Sequence, residues 1–295
     1  MSELPLQQAL ARLLTDGKGR KSIFAGDVSP LAEYCLSTEQ QQHLLQIDRE
    51  RVEVFAELLI INRLSKAIDG LPWTTQLLGS QLGQIAVAFN QAFPPKHSKK
   101  YLEAMAFAQF LKEQFRLQPP SPPFLEDVLL YEMNSLELRF ESKGRDELVP
   151  IHEIPSLTSQ LYAANELLSE IVPHRLSCNR IISLNYNVEL IGEEIAQGRF
   201  PTTVEKRPMY ILLHVEPSGV LTQTEINVPT LAFIEKCDDR APLNAIIESL
   251  ARDFQQSHLT SDFEERCLRL CEALIELHII TLKPRSLPEK GQESA

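Results

Sequence analysis

Glycine is scarce in this chain, at 11 of 295 residues against 19 prolines. That balance excludes long flexible linkers and points to helices joined by stiff corners. No apolar run approaches the roughly 18 residues that cross a bilayer as a helix, so no spanning segment is expected. The start, MSELPLQQALARLL, is an amphipathic helix with charges inside it. It lacks the basic-then-apolar pattern of a secretory signal. Basic clusters are missing too. KHSKK, from Lys96 to Lys100, is the densest and it is short, while the formal net charge is −11. A nucleic-acid binder needs a basic face to displace counterions from phosphate, so the composition disfavours DNA. Five cysteines, Cys35, Cys178, Cys237, Cys267 and Cys271, are scattered and mostly lie in apolar runs. They read as reduced, buried thiols of a cytoplasmic protein.

Catalytic patterns are equally sparse. There is no G-x-S-x-G elbow and no phosphate loop; GSQLG, Gly79 to Gly83, reads as a helix start. None of the seven histidines has H-E-x-x-H spacing. His214 falls in a strand and reads as a half-buried packing residue. Cys267 and Cys271 share a helix face, yet a metal needs two more ligands, so small apolar core groups are the simpler reading. Glu132 falls on the apolar side of its helix beside Tyr131 and reads as a satisfied buried carboxylate. The expectation is no catalytic set, no metal and no cofactor.

What the chain does have is periodicity. Helical spacing of apolar residues recurs through the first 140 or so residues, with corners at Gly70–Gly79, Phe93–Lys96 and Pro119–Val128. Asp16 to Asp27 reads as a polar loop, residues 30 to 47 as one helix, and Leu157 to Ile171 as a short helix ended by Pro173. From Cys178 the period changes. CNRIISLNYNV and RPMYILLHVEPSGVLTQTEINV read as strands, with a hairpin turn at Glu216 to Gly219. VELIGEEIAQGRF reads as a helix closed by Gly198. Three helical patterns follow, then a short strand, TLK. The expected fold is α+β, an all-helical N-terminal domain followed by a winged-helix-like domain. The boundaries are 1–145 for the helical domain, 146–175 for a linker with a short helix, 176–283 for the winged-helix-like domain and 284–295 for a disordered tail.

Two stretches resemble known families. EINVPTLAFIEKCDDRAPLNAIIESLARDF, with CEALIELHIITL, is similar to the small peptide-chaperone domain of ribosomal-peptide maturation, typified by the chaperone of pyrroloquinoline quinone biosynthesis. Asp239 and His278 stand where that pattern carries Gly. Upstream, AIDGLPWTTQLLG, AFPPKHSKKYLEAMAFAQFL and PPFLEDVLLYEMNSLEL resemble the helical N-terminal domain of a family labelled putative DNA-binding. Its members are partner subunits of multinuclear iron oxidases that modify cysteines in ribosomal peptides, as in methanobactin-type pathways. The resemblance implies a non-catalytic protein that forms a heterodimer with such an oxidase. It would bind the leader of the precursor peptide and present its core, without holding the iron itself.

In the recognition fold that this resemblance implies, an extended peptide adds to a sheet edge. The edge here is VLTQTEI, with Leu221, Gln223 and Glu225 on one face and Thr222 and Thr224 on the other. The last long helix would wall the groove through Arg266, Arg269, Leu270 and Ala273. The alternative is a transcription regulator that uses the winged helix on DNA.

Overall fold

The computed structural model describes residues 4–93, 99–142, 168–254 and 261–284. The chain is α+β: the N-terminal part is helical and the C-terminal part carries small antiparallel sheets. The helices are α1 (Leu4–Thr15), α2 (Gly17–Phe24), α3 (Thr38–Leu45), α4 (Arg49–Gly70), α5 (Pro72–Leu78), α6 (Leu82–Ala92), α7 (Lys100–Leu117) and α8 (Leu125–Ser142). After them come β1 (Ile171–Arg175), β2 (Asn179–Tyr186), α9 (Val188–Ala196), β3 (Lys206–Val215) and β4 (Leu221–Ile226). The chain closes with α10 (Val228–Lys236), α11 (Leu243–Asp253), α12 (Ser261–Glu276) and β5 (Ile280–Pro284).

Packing divides the chain into two units. The first holds Met1–Leu136 with Val188–Val204; the second holds Glu137–Asn187 with Glu205–Ala295. The sequence pattern put the helix now labelled α9 in the C-terminal domain and the boundary at residue 145. The structure assigns α9 to the helical unit, because Gly192 gives it close approach to Trp73 on α5.

Within the helical unit, side-chain caps explain the starts of α2 and α3. The Asp16 carboxylate accepts the N–H groups of Lys18 and Gly19, so a helix forms where a polar loop was expected. Ser37 and Gln40 form a reciprocal capping box that opens α3. The single helix expected over 30–47 is broken ahead of that box. Ser29–Tyr34 is a 3-10 turn, and Cys35 turns left-handed at φ 48°. Apolar clusters fill this unit, among them one around Leu13, Ile23 and Leu31 and another around Phe89, Phe107 and Leu111.

In the second unit β2, β3 and β4 form one antiparallel sheet in that order. The hairpin turn lies at Glu216–Gly219, where the Gly219 N–H donates to the Glu216 carbonyl. Helices α10, α11 and α12 pack one face through Phe233, Ile234, Ile247, Leu250 and Leu274, and Leu212 and Ile226 join that core from the sheet. The order strand, strand, three helices, strand is the winged-helix-like order expected. Ile171–Arg175, expected to end a helix, is instead a strand that pairs with the closing strand β5. Pro173 is compatible because its main-chain groups face away from β5, where its carbonyl accepts the Asp239 N–H, so the missing N–H costs no bond in the β1–β5 ladder. The preceding part of the expected helix, the segment 143–167 and the tail from 285 lie outside the described residues.

Candidate functional site

β4 is an edge strand: β3 lines one side, and no described strand lies on the other. Its register with β3 runs without interruption from Val215–Leu221 to Tyr210–Ile226. At the hairpin mouth the Glu216 N–H donates to the Val220 carbonyl at 2.8 Å. Bonded and non-bonded pairs alternate along an antiparallel ladder. The bonded pairs are therefore His214–Thr222, Leu212–Thr224 and Tyr210–Ile226. It follows that Leu221, Gln223 and Glu225 turn their main-chain N–H and C=O groups to the open edge. Gln223 adds a side-chain feature, since its Oε1 is buried with no hydrogen-bond partner among the described residues. A buried acceptor of that kind is normally satisfied. Thr222 donates its hydroxyl to Glu216, and Glu225 pairs with Arg207 at 2.7 Å.

Beyond Ile226 the chain enters α10 through a defined corner. The Asn227 side chain accepts the Thr230 N–H, and Pro229 sits in the first turn, where no N–H is needed. That corner borders a groove of about 570 Å³ between α10, α11 and α12. Its apolar lining includes Phe233, Leu250, Phe254, Phe263 and Leu270, and Arg266 contributes a charge.

The expected site residues thus divide. Leu221, Thr222, Gln223, Thr224 and Glu225 form the edge strand, and Arg266 and Leu270 line the groove. The groove is walled by α10, α11 and α12 and comes nearest β4 at Asn227, the residue just after the strand; the five β4 residues do not line it. Arg269 and Ala273 lie exposed on α12 and do not line it either. Both arginines are ion-paired one turn back along their own helix, Arg266 with Asp262 and Arg269 with Glu265. Phe263 was legible in principle, because it extends the Arg266–Leu270 stripe by one helical step. Phe254 was not, since its approach to α12 depends on tertiary packing.

Other candidates resolve into structure. The buried carboxylate of Glu132 accepts the N–H groups of Trp73 at 2.8 Å and Thr74 at 2.9 Å. Burial raises its pKa to about 7, and the hydrogen bonds from Thr74 and Trp73 oppose that rise. Cys237, Cys267 and Cys271 are buried, and burial pushes all three thiols up. His214 is buried fully rather than by half, and burial lowers its pKa. Among the described residues no cluster of three or more His, Cys, Asp or Glu side chains has metal-binding geometry. No described helix is long and apolar enough to cross a membrane. No protein-family model matches the chain, and no curated protein matches its sequence.

Proposed function

We propose that this protein is a non-catalytic, peptide-binding partner. It takes the leader of a ribosomally made precursor as an added strand on β4 and presents the core to a multinuclear iron-dependent oxidase that modifies cysteine. The observation that carries the reading is the β4 edge, whose outward main-chain groups come from three alternate residues and whose end opens onto an apolar groove. Main-chain hydrogen bonds to such an edge give affinity, and pockets for side chains give specificity. A bulky apolar residue of the bound segment would enter the groove beyond Asn227.

The resemblance to the peptide-chaperone domain supplies the leader, and that of the helical stretches to the oxidase-partner family supplies the oxidase. One detail supports the first. The two positions where that pattern carries Gly, occupied here by Asp239 and His278, have φ of 68° and 57°. Glycine adopts that left-handed backbone at little cost, so the chain keeps the turn geometry with other residues.

The test asks whether a short cysteine-containing peptide and an iron oxidase are encoded beside this gene, and uses that pair. A labelled leader should bind, with at least tenfold loss in Gln223→Pro and in Leu270→Asp. Cysteine modification should require both proteins. A gene neighbourhood without such a pair, or an affinity that neither substitution changes, overturns the reading.

A further inference from the structure

The helical unit carries an apolar face that the proposed peptide site does not use. Helix α4 buries Val52, Ala56 and Ala67, yet its opposite side exposes Val54, Phe55, Leu58 and Ile61 by 52 to 61%, with Ile68 at 40%. Positions 54, 58, 61, 65 and 68 follow the alternating four-and-three spacing of a helix-pairing seam, interrupted only by Ser65. At 1.5 Å per residue the stripe runs about 21 Å. The five side chains expose on the order of 400 Å² of apolar surface, the size of patch that marks an interaction site on a monomer.

The charges around the stripe indicate what covers it. Two basic residues at its start are neutralised within the helix, Arg49 by Glu53 and Arg51 by Asp48. Glu50 and Glu57, on one flank, have no ion-pair partner among the described residues. The rim on that flank is therefore acidic, in a chain whose net charge is −11. Complementary charge selects partners, and like charge opposes them. A second copy would bring the same acidic rim and the same net charge.

We infer that the α4 stripe docks an amphipathic helix of a different protein, one whose apolar seam is flanked by Lys or Arg. The occupant packs leucine-type side chains between Leu58 and Ile61 and sets its basic residues against Glu50 and Glu57. Helix-on-helix docking through such spaced anchors is a common recognition mode.

Two designed 21-residue helical peptides test it on the full chain, both with Leu at seam spacing, one flanked by Lys and one by Glu. The Lys peptide should bind, and the Glu peptide should bind at least tenfold more weakly. Leu58→Asp and Ile61→Asp each add negative charge, so attraction by charge alone would strengthen in these variants. Docking on the stripe should instead weaken at least tenfold. Both positions are exposed, and unchanged thermal melting verifies folding. Sedimentation of the chain alone should give a monomer. No binding of the Lys peptide, binding unchanged or tightened in the Asp variants, or self-association abolished by Ile61→Asp overturns the proposal.

Discussion

Gly192 lies against the indole of Trp73 so closely that a Cβ added to it would come within 2.4 Å of the ring's Cζ2. The ring cannot easily yield, because it stacks on Tyr131 at 5.4 Å with planes 9° apart. Gly192→Ala should therefore destabilise the helical unit by about 1–3 kcal/mol, the usual cost of overpacking. Thermal melting reads this as a drop of several degrees. Trp73→Leu makes room, so the double variant should lose less than the two single losses together. Strict additivity would show that the two residues do not press on each other.

That contact shows where the sequence stops being legible. The helix over 188–196 was readable from its apolar spacing and from Gly198, which has φ 73°. Its place was not, because nothing local in VELIGEEIA says which unit its apolar side will meet. Likewise β4 was legible as an alternating strand, and its position on the edge fits the hairpin signal at Glu216–Gly219. Strand β1 was missed for a physical reason: IVPHR is short and contains Pro173, and its partner β5 lies more than a hundred residues away. The α2 start was missed because Asp16 acts as a cap only once Gly17 and Gly19 follow it into a helix. The groove was half legible, since its α12 side follows helical spacing while its α10 and α11 sides come from packing.

Glu132 should give stability an acid-favoured component. Its folded pKa is raised to about 7 from an ordinary 4.5. The folded state therefore holds this proton more tightly than the unfolded chain between those two values. The contribution is fully present below pH 4.5 and is lost as pH rises through 7. Other groups also titrate in this range, so the readout is the difference from Glu132→Gln. Wild type should gain on the order of 2–3 kcal/mol relative to the variant as pH falls from 8 to 4.5. A difference that stays flat with pH would refute it.

Arg63 and Glu103 form a buried ion pair at 2.7 Å. Arg63 also donates to Asn90 and lies 4.3 Å over the Phe89 ring. Removing one partner leaves the other charge buried and unpaired, at a cost of about 3–5 kcal/mol. Arg63→Met and Glu103→Leu alone should each approach that loss in urea unfolding. The double variant should recover much of it, because replacing a buried pair with apolar groups is often close to neutral. A double variant as unstable as the summed singles would show that the pair does not act as a unit.

Four of the five thiols should react in two classes, with the half-buried Cys178 between them. Cys35 is exposed, while Cys237, Cys267 and Cys271 are buried. Burial raises Cys267 to about 11 and Cys271 to about 12, and pushes Cys237 above the usual thiol range. The thiolate is the reactive form. At pH 8, Ellman's reagent should therefore modify Cys35 quickly in the native protein, and Cys35→Ser should remove that fast phase. The three buried thiols should react only after denaturation. Fast native modification of Cys237, Cys267 or Cys271 would contradict the packing around α12.

Amide exchange on β4 should alternate with a period of two. Thr222, Thr224 and Ile226 direct their N–H groups into the ladder with β3, whereas Leu221, Gln223 and Glu225 direct theirs to the open edge. Exchange followed residue by residue by NMR should find the first set protected and the second fast, by at least tenfold. The same experiment separates two modes of peptide binding. A leader added as a strand protects Leu221, Gln223 and Glu225 and leaves the other three unchanged. A leader held only in the groove beside Arg266 and Leu270 leaves the alternation as it was. Uniform protection along β4 before any peptide is added would mean that its edge is already covered.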